Sequence, residues 1–192
     1  KDVTPQMRDT AKRVNFGIIY GMSAFGLAKD LGISQADAQE FIDKYFSRYP
    51  KVKDFMDNAI RQCQEKGFVT TLLNRRRYIP EINSPNESMK QFAQRQAINT
   101  PVQGSAADLM KLAMIDIHRE LKERKLASQI LITVHDELVL DVPSKEKGEI
   151  VELLRERMEH PFVSPEATQM ELSVPIKVSI KTGANWLETK EV

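Results

Sequence analysis

The chain has 192 residues and a mass of 21.9 kDa, is 41% hydrophobic and 29% charged, and carries a formal net charge of +1. That length can bury a core in one domain or two small ones, and the composition is that of a globular protein and not of a disordered tail. No stretch approaches the roughly 18 apolar residues of a membrane span, the opening Lys1-Asp2-Val3-Thr4 is not a signal peptide, and the single Cys63 excludes an internal disulfide and a cysteine-built zinc site.

An intracellular location is expected. The small net charge hides a division: Arg75 to Lys111 holds six basic residues against three acidic, and Asp141 to Glu171 holds eight acidic against four basic. A nucleic-acid surface would therefore be local.

The first twenty residues read as a helix, with Thr4 as cap, Pro5 in the first turn and Gly21 at its end. A shorter helix is expected over Ser23–Leu31, closed by Gly32. Ser34-Gln-Ala-Asp37 has the form of a capping box with Asp in place of Glu, opening a helix that Pro50 stops. A further helix runs from about Lys51 to Lys66 and ends at Gly67.

Phe68–Leu73 and Tyr78-Ile79 are expected to form a short ribbon around Asn74-Arg75-Arg76-Arg77, followed by a loop over Pro80–Asn86. Glu87–Ile98 is helical, and Pro101 is expected to break the chain before a long helix of about Gln103–Arg124. Leu109, Leu112, Ala113, Ile117 and Leu121 line one apolar face of that helix.

Ile130–Val134 and Leu138–Val142 are β-rich runs flanking His135-Asp136-Glu137, and Ser144 is a candidate cap for a helix with Ile150, Leu153, Leu154 and Met158 on one side. From Leu172 to Lys181, Leu, Val, Ile, Val and Ile alternate with polar residues and Pro175, the pattern of a strand with one wet face. The fold class expected is α+β: a helical segment over 1–86, then a part with an antiparallel sheet and packed helices over 87–192.

Arg8, Lys12, Phe16 and Tyr20 are spaced by four, so they drift about 40° per step around a helix and share one broad face. Guanidinium and ammonium groups neutralise phosphates, and rings offer flat surfaces to sugar or base. The same spacing also fits an amphipathic helix with a basic wet side. Neither phosphate-cradling glycine motif, G-x-G-x-x-G or G-x-x-x-x-G-K-S/T, occurs.

Arg95, Asn99 and Gln103 also step by four; these side chains reach the acceptors that every base pair shows in the minor groove, a readout largely blind to sequence. Arg75, Arg76 and Arg77 are candidate phosphate contacts, or a solvated turn. His118 and His160 have no ligand partners at metal spacing.

At the hairpin, Asp136 and Glu137 are neighbours and would point to opposite faces of an extended backbone. The apolar Leu138, Val139 and Leu140 follow at once, so the carboxylates are expected to border a packed sheet, where a cation would relieve their burial. Mg²⁺ takes oxygen ligands and often needs only one or two carboxylates plus substrate phosphates. A merely polar hairpin tip is the other reading.

Taken together, MRDTAKRVNFGIIYG (Met7–Gly21), RQAINTPVQGSAADLMKLAM (Arg95–Met114) and VHDELVLDVP (Val134–Pro143) closely resemble, in this order, the C-terminal polymerase region of the bacterial DNA polymerase I family, family A. The closing GANWLETKE is similar to a family C-terminus, so the resemblance covers essentially the whole chain. It implies fingers over 1–86 and the C-terminal part of the palm over 87–192.

The resemblance further implies that Arg8 and Lys12 grip an incoming deoxynucleoside triphosphate. Phe16 lies beside its sugar, where the family's Phe or Tyr choice affects acceptance of dideoxy nucleotides, and Tyr20 sits at the insertion and template-base site. Arg95, Asn99 and Gln103 line the minor groove of primer–template DNA, and His135 lies near the primer terminus. Asp136 is the palm carboxylate that binds Mg²⁺, with Glu137 as supporting acid. Many members carry a second Arg where this chain has Asp9, a change expected to tune and not abolish the site.

The family's upstream palm strand, with a motif resembling DYSQIELR, holds another metal-binding Asp and a Glu that helps exclude ribonucleotides; neither is among these residues. Two Mg²⁺ ions are thus expected to be shared with an upstream Asp, supplied with the thumb by a separate N-terminal polymerase piece across a large apolar interface. The chain alone is expected to be inactive. A catalytically silent DNA-binding or scaffold fragment and, with less support, a nuclease are the rival readings.

Overall fold

The computed structural model describes residues 2–162 and 172–192. They form an α+β fold with seven α-helices and three two-stranded antiparallel sheets among the described residues. The chain divides into two compact units, up to Ser105 and from Ala106 onward.

In the first unit, α1 (Pro5–Ile19) starts where Met7 N–H donates to Thr4 Oγ1 at 3.2 Å, and Gly21 follows it at φ +80°. α2 (Ala24–Leu31) is capped by Ser23 and α3 (Gln35–Arg48) by Ser34, which accepts from the Asp37 N–H at 3.1 Å and donates to its carboxylate at 2.7 Å. Asp at this position thus bonds the cap hydroxyl directly. Val14 and Ile18 of α1 bury against Leu27, Ala38 and Ile42. The apolar side of α1 is therefore spent on the core, which leaves its basic and aromatic side outward.

α4 (Pro50–Lys66) ends at Gly67 and leads into β1 (Phe68–Thr70), which pairs with β2 (Arg76–Tyr78) in the register Phe68↔Tyr78, Val69↔Arg77, Thr70↔Arg76. Arg76 and Arg77 are therefore strand residues, where a turn was expected. The bend lies at Leu72–Arg75, with Asn74 left-handed at φ 61°, a conformation that Asn tolerates better than Arg. Pro80–Asn83 is a 3₁₀ turn within the expected loop. Cys63, Val69, Ile79, Ile82, Ala93 and Ala97 form the second core of this unit, with α5 (Glu87–Asn99) packed on α4.

Pro101 does not break the chain. The backbone stays helical from Glu87 to Ser105, passing through a π turn at Thr100–Gly104. Proline removes an N–H and its ring crowds the carbonyl four residues back. The wider π turn makes room for the ring, and the side chains of Thr100 and Ser105 satisfy nearby carbonyls of Gln96 and Pro101.

α6 spans Ser105–Glu123. In the second unit its Ala113, Ile117 and Leu121 bury against Ile150 and Leu153 of α7 (Lys147–Glu159), and Ile130, Leu138 and Leu140 pack against this cluster. β3 (Gln129–Val134) and β4 (Glu137–Asp141) form the expected hairpin. Ser144 does not cap α7: it opens a 3₁₀ turn, Ser144–Glu146, without a side-chain cap bond. Instead the buried Glu146 takes the N–H groups of Ala127 and Ser128 at 3.1 and 2.9 Å and the Ser128 hydroxyl at 2.7 Å.

Residues 172–180 are not strand. Their alternation survives only in part, with Ile176 and Val178 half-buried and Ile180 buried, and a ladder requires a neighbouring backbone that the pattern itself does not supply. The closing pair is β5 (Lys181–Gly183) with β6 (Thr189–Glu191).

Candidate nucleotide and nucleic-acid interface

On α1, Arg8, Lys12 and Phe16 are exposed and Tyr20 half-buried. The Phe16 and Tyr20 rings stack, with centroids 6.1 Å apart and planes 15° from parallel. A four-residue step brings them together because both side chains lean along the same face. Phe16 is 55% exposed although large and apolar, and a solvent-facing ring stack beside two cations offers a platform to a flat, anionic ligand. Asn15, at the margin, is turned to its own helix by donation from Nδ2 to the Ala11 carbonyl at 2.8 Å.

The end of this face meets another predicted set. A Cβ on Gly21 would fall 3.1 Å from Arg95 Cγ, so the chain leaving α1 lies directly on Arg95. The Arg95 guanidinium is 5.8 Å from the Phe92 ring centroid. Asn99 is half-buried, its Oδ1 enclosed without a hydrogen-bond partner among the described residues, and Gln103 is exposed in the π turn.

The three arginines differ in what they touch. Arg76 lies over Phe68, 4.8 Å from the ring centroid, and Arg77 Nη1 donates to Thr100 Oγ1 at 3.2 Å. Arg75 donates its backbone N–H to Thr71 Oγ1 at 3.2 Å. All three are exposed.

In the second unit, His135 and Asp136 are the two central residues of a hairpin turn closed by Val134↔Glu137. His135 has φ 53° while Asp136 does not share the positive sign. This strains a side chain at a place where turns normally use Gly. All three polar residues are exposed, so the expected burial of the carboxylates is not met: the turn projects beyond the packed part of the hairpin. No described residue forms an ion pair or hydrogen bond with the Asp136 or Glu137 carboxylate.

Two accessible carboxylates without a protein cation suit a hard divalent ion that takes its other ligands from phosphates and water. Among the described residues no group of three or more His, Cys, Asp and Glu is placed to hold a metal, so this chain would supply only part of such a coordination shell. The apolar residues beside the turn are also open, Leu131 at 58% and Ile132 at 45% exposure.

Sequence reasoning missed Thr100 and Ser105, which flank Pro101 at −1 and +4. A hydroxyl on each side of a mid-helix proline was the available signal.

Cations, stacked rings and hard oxygen donors are groups to which phosphates, flat rings and divalent ions bind. Residues 1–188 match the description DNA polymerase family A, and the chain belongs to that family. It is 50% identical over 189 residues to the DNA polymerase I of Caldicellulosiruptor bescii and 45% identical over 189 residues to that of Bacillus subtilis. Each alignment covers 98% of this chain and 21% of the relative. The chain thus spans about a fifth of the length of these curated relatives.

Among solved structures it resembles the POL domain of Pol1 from M. smegmatis in complex with DNA primer-template and dNTP, with a TM-score of 0.84 and 40% identity, covering 92% of this chain and 30% of that one. No helix among the described residues is long and apolar enough to cross a membrane.

Proposed function

We propose that this chain is the fingers (1–86) and C-terminal palm part (87–192) of a template-directed DNA polymerase that adds deoxynucleotides to a primer 3′ end. The observation that carries the reading is the outward face of α1, where Arg8, Lys12 and the stacked Phe16 and Tyr20 stand in a row that ends against Arg95. The family and the likeness to a polymerase domain solved with primer-template and dNTP support it.

In this reading Arg8 and Lys12 hold the triphosphate by charge-assisted hydrogen bonds. Phe16 lies against the sugar and Tyr20 beside the template base, so the nucleotide is oriented before reaction. Arg95, Asn99 and Gln103 take minor-groove acceptors, and Arg75, Arg76 and Arg77 take backbone phosphates of the duplex. His135 stands by the primer end. Asp136 would hold Mg²⁺, with Glu137 supporting it and an upstream Asp completing a two-ion site. When bound, Mg²⁺ supplies the positive charge that makes the primer hydroxyl nucleophilic and neutralises the transferring phosphate.

The open Leu131 and Ile132 and the length of the relatives favour an N-terminal polymerase piece, carrying the upstream palm strand and thumb, as an obligate partner. The bacterial relatives favour the bacterial cytoplasm or nucleoid. The test is primer extension by the chain alone and with an upstream palm–thumb piece. Silence alone and synthesis on complementation is the expected result; silence in both, with duplex binding retained, would favour a catalytically silent DNA-binding fragment.

A further inference from the structure

The arginine ribbon and the helix bearing Arg95, Asn99 and Gln103 are joined by two hydroxyls, one at each end of the π turn. Thr100 Oγ1 donates to the Gln96 carbonyl at 2.7 Å and accepts from Arg77 Nη1 at 3.2 Å. Ser105 Oγ donates to the Pro101 carbonyl and accepts from the Leu72 N–H at 2.9 Å. Each hydroxyl thus uses its one proton on the helix and one lone pair on the ribbon. Thr100 and Ser105 are both buried, where such bonds are screened little by water.

The contact is close as well as polar. A Cβ on Gly104 would lie 2.8 Å from Thr71 Cγ2, so the Thr71 side chain at the end of the ribbon rests on the π turn and a larger residue at 104 would have to displace it. Arg77 and Arg76 are neighbours on a strand and point to opposite faces. With Arg77 tied to Thr100, Arg76 is held on the other side over Phe68.

We propose that Thr100 and Ser105 are positioning residues that latch the β1–β2 ribbon to the π turn. They make Arg76 on the ribbon and Arg95 and Gln103 on the helix one pre-aligned surface for the sugar–phosphate backbone and minor groove of a duplex. Beside the phosphate contact proposed for it above, Arg77 acts in this device as the strut through which Thr100 holds the ribbon. The inference rests on the duplex-binding reading above. It also gives the π turn a purpose: the two hydroxyls that bond the Gln96 and Pro101 carbonyls within the turn also dock the ribbon.

The test uses the assembled polymerase and a fluorescein-labelled primer–template of fixed sequence, with affinity measured by anisotropy from low to moderate salt. Thr100→Val removes the hydroxyl at nearly constant shape. It is expected to weaken duplex binding about five- to tenfold and to lower the slope of log K against log salt by about 0.9, the value of one phosphate contact. KM for the deoxynucleoside triphosphate should be unchanged, and Thr100→Ser should restore affinity to within about twofold of wild type, since the hydroxyl is what matters.

Ser105→Ala should speed hydrogen exchange at the Leu72 amide about tenfold or more, because that N–H loses its acceptor, and Ser105→Thr should not. Arg95→Ala is the control for the duplex reading itself. If it weakens binding while Thr100→Val and Ser105→Ala do not, the latch is wrong and the duplex reading stands. If Arg95→Ala has no effect, both fall. A Thr100→Val loss that Thr100→Ser fails to rescue also overturns the latch.

Discussion

Gly21 sits directly against Arg95: a Cβ on the glycine would come 3.1 Å from Arg95 Cγ, and the glycine backbone is left-handed at φ +80°. The residue that ends α1 therefore sets where an arginine of α5 can lie. Gly21→Ala is expected to lose about 1–2 kcal/mol of stability from the left-handed backbone alone and to weaken duplex binding by displacing Arg95. Urea unfolding and DNA titration check the two parts. Gly32→Ala, at φ +66° with nothing within 4 Å, is the control that should cost stability only.

Asp136 carries its carboxylate at an exposed two-residue turn with no protein cation nearby. In the complemented polymerase, Asp136→Asn should lower the rate of primer extension by roughly 10³-fold or more, the size expected from losing several kcal/mol of charge stabilisation. Duplex affinity should change by less than about threefold, as one exposed contact contributes little to binding. Extension at close to the normal rate would refute the assignment.

Glu120 links α6 to α7. It accepts from Arg124 at 2.8 Å and pairs with Arg157, whose side chain is largely enclosed, while Arg124 also reaches Glu149 at 3.2 Å. Burial pushes the Glu120 carboxyl up, but hydrogen bonds and charge from Arg124 and Arg157 outweigh it and leave the group below its ordinary value. Glu120→Ala leaves the Arg157 guanidinium with only the longer pair to Glu156 at 3.8 Å and should cost about 1–3 kcal/mol in equilibrium unfolding. Removing Glu149, at the exposed edge, should cost no more than about 1 kcal/mol.

Glu146 is held below the usual carboxylate range by the Ser128 hydroxyl first and by the Ala127 and Ser128 N–H groups. A depressed folded value means that the carboxylate contributes fully above the ordinary glutamate range, near about 4.3, and that the contribution fades as pH falls through the lower folded value. Urea midpoints between neutral and strongly acidic pH should therefore converge for wild type and Glu146→Gln at the acid end, with wild type ahead at neutral pH. A gap that is the same at both ends would show that the charge is not responsible.

Much of this was legible in the chain itself where the cause is local. Thr4, Ser23 and Ser34 cap the helices they precede, because a hydroxyl there satisfies N–H groups within three residues. The four-residue row on α1 and the apolar stripe of Ala113, Ile117 and Leu121 follow from helical period alone. The family was legible too, because its motifs are long and lie in order.

What failed was what depends on partners. The alternation after Leu172 promised a strand, and Ser144 promised a helix cap, but a strand needs a neighbour, and Ser144 opens a 3₁₀ turn while α7 starts without a side-chain cap. Pro101 promised a break, and a π turn with two hydroxyls absorbed it.

By itself, then, the sequence determined the helices, the hairpin and the chemistry carried on the α1 face, since each arises from residues within a few positions of one another. Only the tertiary structure decided that Gly21 lies on Arg95, that Arg77 bonds Thr100, and that the hairpin carboxylates stand open to solvent. Those outcomes join residues 23 or 74 positions apart or depend on what packs beside them, and no local spacing encodes which of many distant groups will fill a given contact.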